Sequence, residues 1–313
     1  MKKLLRLAAA SVLLLAGVIA ARRLLETPAV IPTPGPGEKD TVVDDVRWRS
    51  REVVGRGDVT VVFVHGLMAS SASWSKVLSP ASGGRPAIAV DLPGFGYSAR
   101  PWPYDYSFGG QAMRLLGFLE RRRIGRVVLV GNSFGAAVAM TAAAARPDRV
   151  FALVLVGPPS TSWQMPWPLR LLRVPLAGEI GMELACRPLF AFGLRHALFA
   201  RGDRVTEETV DAYWRPLTVP GSRRAALKAA RSSLAGAERI EAAVRLPTLV
   251  LCGRADRLVP PAAGLKLSER IPGAKLAVLP EAGHVPQEEV PEAFSREVAA
   301  FLDQTLGPAG ASR

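Results

Sequence analysis

Gly131-Asn132-Ser133-Phe134-Gly135 is the stretch of this sequence richest in chemistry. The apolar run Val127-Val128-Leu129-Val130 leads into it, and the small-residue run Ala136-Ala137-Val138-Ala139 leads out. A strand that turns sharply into a helix holds a serine in a strained conformation, and glycines on either side remove the clashes. The helix start also offers a favourable dipole to developing negative charge. A serine hydroxyl is a weak nucleophile unless a base takes its proton. Three histidines are available: His65, His196 and His284. His284, in Glu281-Ala282-Gly283-His284-Val285-Pro286, follows the last strand candidate and is the expected base. Asp256, in Gly253-Arg254-Ala255-Asp256-Arg257-Leu258-Val259-Pro260, follows the strand candidate before it. Its expected role is to hold the imidazole tautomer and stabilise the imidazolium. His65 ends an early strand and is read as a structural residue fixing the loop beside it; His196 falls in a separate insertion.

An acyl-transfer intermediate also needs donors for its oxyanion. The backbone N–H of Phe134, directly after the serine, is one candidate. The N–H of Leu67, in His65-Gly66-Leu67-Met68, is the other. Losing one such donor typically costs about 3 kcal/mol of transition-state stabilisation.

Alternating strands and helices must position these groups. The strand candidates are 59–65, 86–91, 126–130, 150–156, 247–252 and 274–279, several of them continuous apolar runs suited to strands covered on both faces. Helices are expected over 107–122, 134–146, 262–270 and 289–306, with Ser107 as an N-cap. This is an α/β pattern: a mostly parallel, doubly wound sheet with helices on both faces. The core spans 41–157 and 241–306. Between its halves, residues 158–240 contain no convincing strand and read as an inserted helical cap rich in aromatic residues. Residues 307–313 read as a disordered tail.

The remaining features bound the answer. The chain has 313 residues, 49% of them hydrophobic, enough for one large domain with an insertion. Its net charge is +13, but the arginines are scattered, with Arg121 to Arg123 the one run, and no zinc spacing or aromatic-basic signature argues for nucleic acid. Cys186 and Cys252 have no metal-ligand spacing, and two cysteines define no disulfide framework. Lys2, Lys3 and Arg6 precede an uncharged apolar stretch from Leu7 to Ala21, followed by Arg22 and Arg23. Residues 1–25 therefore read as a membrane anchor, a transmembrane helix, with a cleaved secretory signal as the alternative. Either places the domain outside the cytoplasm. Residues 26–40 read as a proline-rich linker.

Together these segments resemble the α/β-hydrolase fold family, from about residue 45 to 303. The resemblance rests on His65-Gly66, Asp91-Leu92-Pro93-Gly94-Phe95-Gly96-Tyr97-Ser98, the elbow Gly131–Gly135, Gly253–Pro260 and Gly283-His284. The order Ser133, Asp256, His284 is the one expected of that family and not of the chymotrypsin or subtilisin types. The resemblance implies a cap inserted after the sixth strand and gives Asp91–Ser98 no catalytic part. A serine at the elbow sets the chain apart from the family's haloalkane dehalogenases and epoxide hydrolases, which place aspartate there. Its carbon–carbon bond hydrolases use serine. They usually carry Gly-Pro-Gly after the early His-Gly and tryptophan after the catalytic histidine, where this chain has Leu67-Met68-Ala69 and Val285.

The expected activity is hydrolysis of a carboxylic ester with an apolar acyl or aryl group through a covalent acyl-enzyme, with no metal or organic cofactor. The partner is a small-molecule ester, in one reading lipid-like. Carbon–carbon hydrolysis or cofactor-free perhydrolysis on the same triad is the alternative, and a non-enzymatic binding protein the alternative of another class.

Overall fold

The computed structural model describes residues 28–160, 165–231 and 237–310, and Gly17 by itself. Eight strands form one sheet: β1 (Glu38–Val43), β2 (Val46–Val53), β3 (Val59–Val64), β4 (Ala87–Val90), β5 (Arg126–Asn132), β6 (Val150–Val156), β7 (Thr248–Gly253) and β8 (Lys275–Leu279). Their order is β1-β2-β4-β3-β5-β6-β7-β8. The pairings from β4 across to β8 are parallel, and β1 and β2 add an antiparallel hairpin at one edge.

The six strands read from apolar runs are all present. The edge hairpin was missed because β1 and β2 carry many charged residues and no continuous apolar run, and their tight turn, Asp44-Asp45, lacks the usual glycine. Both aspartates sit at positive φ, 48° and 61°, as a two-residue hairpin turn of type I′ requires.

Strand side chains alternate between two buried layers. Val62, Val64, Leu129 and Leu153 face α1 (Phe108–Arg121) and α2 (Phe134–Ala145). Val61, Phe63, Val128 and Val154 face the C-terminal helix. Ser107 caps α1 by accepting a bond from the Gly110 N–H at 3.1 Å. Nine of the twelve residues of α2 are buried, which its Ala-rich composition allows against the sheet.

The cap carries α3 (Trp167–Arg170), α4 (Ala177–Leu184), α5 (Arg187–Gly193), α6 (Glu207–Thr218), α7 (Ser222–Ala230) and α8 (Ala237–Ala243). Its described residues contain no strand, and the boundary expected at 240 falls inside α8. The core resumes with α9 (Pro261–Arg270), α10 (Pro286–Glu289) and α11 (Pro291–Leu306). One helix was expected over 289–306; Pro291 disfavours helical geometry at Val290, which sits at φ −137°, ψ 59° and separates α10 from α11.

Two boundaries need correction. The linker expected over 26–40 gives way to β1 at Glu38. Upstream of the strand, the buried Arg49 guanidinium donates to the Pro32 carbonyl at 2.8 Å as well as pairing with Asp40 and Glu38. At the other end, the Gly307 carbonyl accepts a bond from Arg85, so the segment read as a disordered tail begins against the core. The anchor expected over residues 1–25 lies outside the described residues, Gly17 apart. Among the described residues no helix is long and apolar enough to cross a membrane.

Candidate active site

Ser133 stands between β5 and α2 at φ 53°, ψ −114°, a conformation that L-residues rarely adopt. The glycines around it answer to close packing. A Cβ on Gly131 would lie 2.3 Å from the Gly135 carbonyl oxygen, and one on Gly135 only 2.2 Å from that of Val64. The turn is held further by the Ser133 N–H, which donates to the Val156 carbonyl at 2.8 Å.

His284 and Asp256 arrive on the loops after β8 and β7. The His284 Nδ1 lies 2.7 Å from Asp256 Oδ2, and both side chains are buried. The other carboxylate oxygen, Oδ1, accepts the N–H groups of Leu258 and Val259, each at 2.8 Å. The carboxylate is thereby locked, Nδ1 carries the ring proton toward it, and Nε2 is left with its lone pair. Ser133 and His284 line one cavity. The structure thus brings together the serine, the histidine and the aspartate read from sequence.

Leu67 and Phe134 line that same cavity. Among the described residues neither backbone N–H has a protein acceptor. Met68, beside Leu67, holds φ 60°, a strained turn that sequence did not suggest. His65 is structural in geometry: its Nε2 accepts the Leu92 N–H at 3.0 Å, and its Nδ1 meets the Gly66 carbonyl at 2.7 Å. Burial holds its pKa below the usual histidine range, which keeps it neutral. His196 is exposed on the cap. Asp91 accepts the N–H groups of Ser71 and Tyr97, at 2.6 and 2.7 Å, and so shapes the Asp91–Ser98 loop.

Four residues of the site were missed. Asn132 donates its amide to the carbonyls of His284, at 3.0 Å, and Val156, at 3.2 Å. Glu289 accepts from the Gly283 and Ala200 N–H groups. Glu288 accepts a bond from the Tyr213 hydroxyl on the cap. Gly157, at φ 50°, would put a Cβ 3.1 Å from His284 Nδ1 and 3.2 Å from Asp256 Oδ2. Asn132 and Gly157 carried a signal, since each adjoins a strand end next to the elbow; the glutamates carried none.

Two substitutions follow from this geometry. Gly157→Ala forces positive φ on an L-residue and presses on the histidine–aspartate pair. Misplacing a catalytic group by about 1 Å costs about 100-fold, so kcat is expected to fall while KM holds, as steady-state kinetics will show. Burial pushes the Glu288 carboxyl up to about 7, with Tyr213, Lys76 and Glu289 facing it. A carboxyl raised in the folded state contributes stability that is lost as pH climbs from its unfolded value through about 7. Glu288→Gln is therefore expected to melt higher than the parent at pH 8 and level with it near pH 4, read by thermal unfolding at both.

The cavity measures about 410 Å³. Leu169, Leu189, Phe190, Leu194 and Leu198 of the cap line it, and among its described side chains only Arg173 is charged. Among the described residues no group of three or more His, Cys, Asp or Glu side chains could hold a metal ion. Both cysteines are free thiols, Cys186 exposed and Cys252 buried, and burial pushes the Cys252 thiol up to about 12.

Comparison with known proteins places this geometry. Residues 61–297 match the model of the alpha/beta hydrolase family. A 2-hydroxy-6-oxo-2,4-heptadienoate hydrolase of Pseudomonas putida is 31% identical over 259 residues, 80% of this chain and 90% of that protein. A haloalkane dehalogenase of Mesorhizobium japonicum is 27% identical, over 80% of this chain and 87% of its own. Among solved structures, Cfl2 from Burkholderia cenocepacia superposes with a TM-score of 0.76 at 26% identity, covering 88% of this chain and 99% of its own. The chain belongs to the alpha/beta hydrolase family and is a hydrolase with serine at its nucleophile elbow.

Proposed function

We propose that the protein hydrolyses carboxylic esters carrying an apolar acyl or aryl group. Ser133 attacks the carbonyl carbon while His284 Nε2 takes its proton. The negative charge gathering on the carbonyl oxygen meets the N–H groups of Phe134 and Leu67. The tetrahedral intermediate collapses as His284 returns the proton to the leaving alcohol, leaving an acyl-serine. Water, activated by the same imidazole, then releases the acid. Asp256 steadies the imidazolium throughout, and no step calls for a cofactor.

One observation carries the choice of substrate: a cavity walled by apolar side chains that runs to Ser133 and His284. A substrate for it is mostly hydrocarbon. Leu171, Val174, Leu176, Leu184, Leu189 and Phe192 are exposed on the cap segments that border this cavity, which favours a lipid-like ester. The test is a p-nitrophenyl ester series from acetate to palmitate, run on the protein and on Ser133→Ala. Turnover lost with the serine, with an optimum at medium or long acyl chains, is the expected result.

A second reading, carbon–carbon hydrolysis of a dienoate, is favoured by the Pseudomonas putida relative and by Arg173, a cation on the cavity wall suited to a substrate carboxylate. Turnover of a 2-hydroxy-6-oxo-dienoate without ester turnover would replace the ester assignment.

We further place the domain outside the cytoplasm, anchored by residues 1–25. Deleting residues 1–27, which spares Pro32 and its bond to Arg49, should release activity from the membrane fraction. Activity equally soluble before and after deletion would remove the anchor.

A further inference from the structure

The cap does more than roof the cavity: one of its segments holds the loop that bears the base. The His284 N–H donates to the Leu198 carbonyl at 2.9 Å. Glu289 completes the join, its Oε1 accepting the Gly283 N–H at 2.8 Å and its Oε2 the Ala200 N–H at 2.6 Å. The two chains approach so closely that a Cβ on Gly283 would lie 2.6 Å from the Ala200 nitrogen and 2.8 Å from the Leu198 oxygen. The loop bearing Asp256 is tied to the same segment, since Arg257 Nη1 donates to the His196 carbonyl at 2.9 Å.

The segment supplies these acceptors because of its own geometry. Leu194–Leu198 is a π turn, closed by the Phe199 N–H reaching back to the Leu194 carbonyl at 3.0 Å. The chain leaves the helix here, so the His196 and Leu198 carbonyls are free to meet the two catalytic loops. Such wide turns concentrate at functional sites. On its other side the same turn touches the cavity, with Leu194, Ala197 and Leu198 on the wall.

We propose that the π turn Leu194–Leu198 and Glu289 are the positioning device of His284, so that an acyl chain packed against Leu198 is read out in kcat. This rests on the assignment of Ser133 and His284 as nucleophile and base. A long acyl chain presses the turn into the register that aligns the imidazole; a short one leaves it slack. Because a displacement of about 1 Å costs about 100-fold in rate, the advantage of a long chain appears in kcat and only weakly in KM.

The test compares kcat and KM for acetate and decanoate p-nitrophenyl esters in the full chain, in Glu289→Gln and in Arg257→Gln. Glutamine keeps the volume but offers one acceptor where two N–H groups need one each. The parent should turn over decanoate at least tenfold faster than acetate at saturation. In Glu289→Gln that ratio should fall toward one while the decanoate KM changes less than twofold. Arg257→Gln, a milder change at an exposed side chain, should lower the ratio part of the way. The Nδ1 proton of His284 should also give a low-field NMR line that is sharper in the parent than in Glu289→Gln, both recorded without substrate. A ratio unchanged in both variants, a loss confined to KM, or a lower melting temperature with the NMR line intact would each overturn the proposal. Ser133→Ala separates the two claims. Turnover surviving in it would refute the nucleophile assignment, while the NMR line would still judge the bridge.

Discussion

Ser133→Gly is expected to be more stable than the parent and to have lost its turnover. The serine sits at φ 53°, ψ −114°, a conformation that glycine adopts freely and an L-residue only under strain. Strain of this kind costs about 1–3 kcal/mol and persists where the surroundings over-determine it. Here they do: β5 delivers the chain, α2 takes it away, and Gly131 and Gly135 are packed against backbone on both sides. Glycine at 133 releases the strain, partly offset by its greater freedom in the unfolded chain, for a net gain of about 1 kcal/mol. Without the hydroxyl no acyl-enzyme forms, and kcat should fall by about 10⁶. Ser133→Ala separates the effects, since it removes the hydroxyl but keeps the strain; it should be equally inactive without the gain in stability. Thermal unfolding with ester kinetics on the two variants checks both halves. A glycine variant less stable than the alanine variant would contradict the strain.

Asp256→Asn should lower kcat by about 10⁴ with little change in folding. The geometry dictates the reason. Asp256 Oδ1 is claimed by the N–H groups of Leu258 and Val259, so an asparagine keeps its oxygen there and turns its NH₂ toward His284. Nδ1 must then accept instead of donate, which moves the ring proton to Nε2, where a lone pair is needed to take the proton from Ser133. The imidazole stays in place in the wrong tautomer. The loss should lie in kcat, and raising the pH should recover activity only as direct deprotonation of the serine becomes competitive. A variant with near-parental kcat would show that Asp256 does not set the tautomer.

Much of this site was legible in the chain because its chemistry lies in short, local patterns. The elbow can be read since a serine between glycines, after an apolar run and before an alanine-rich run, leaves few alternatives to a strand–turn–helix. His284 and Asp256 could be read because each follows a strand candidate closely. The edge hairpin could not, because its strands mix charged and apolar residues and turn on two aspartates. The support given by Glu288 and Glu289 was equally hidden, and a place at a strand end beside the elbow marked Asn132 and Gly157 without naming their partners. Asn132 reaches His284 across 152 positions, and Glu289 reaches Ala200 across 89. Residue type alone carries no trace of such partners.

Sequence by itself therefore determined the layered α/β architecture, the three residues that meet at the site and the order in which they occur. These follow from apolar periodicity and from the few residue types able to transfer a proton or attack a carbonyl. Tertiary structure alone decided which oxygen of Asp256 faces the imidazole, that the linker and tail begin against the core, and that the cap is hydrogen-bonded to the loop of His284. Each of those depends on backbone groups brought together from distant parts of the chain. Every residue offers nearly the same N–H and carbonyl, so their pairing is written in the packing and not in the letters.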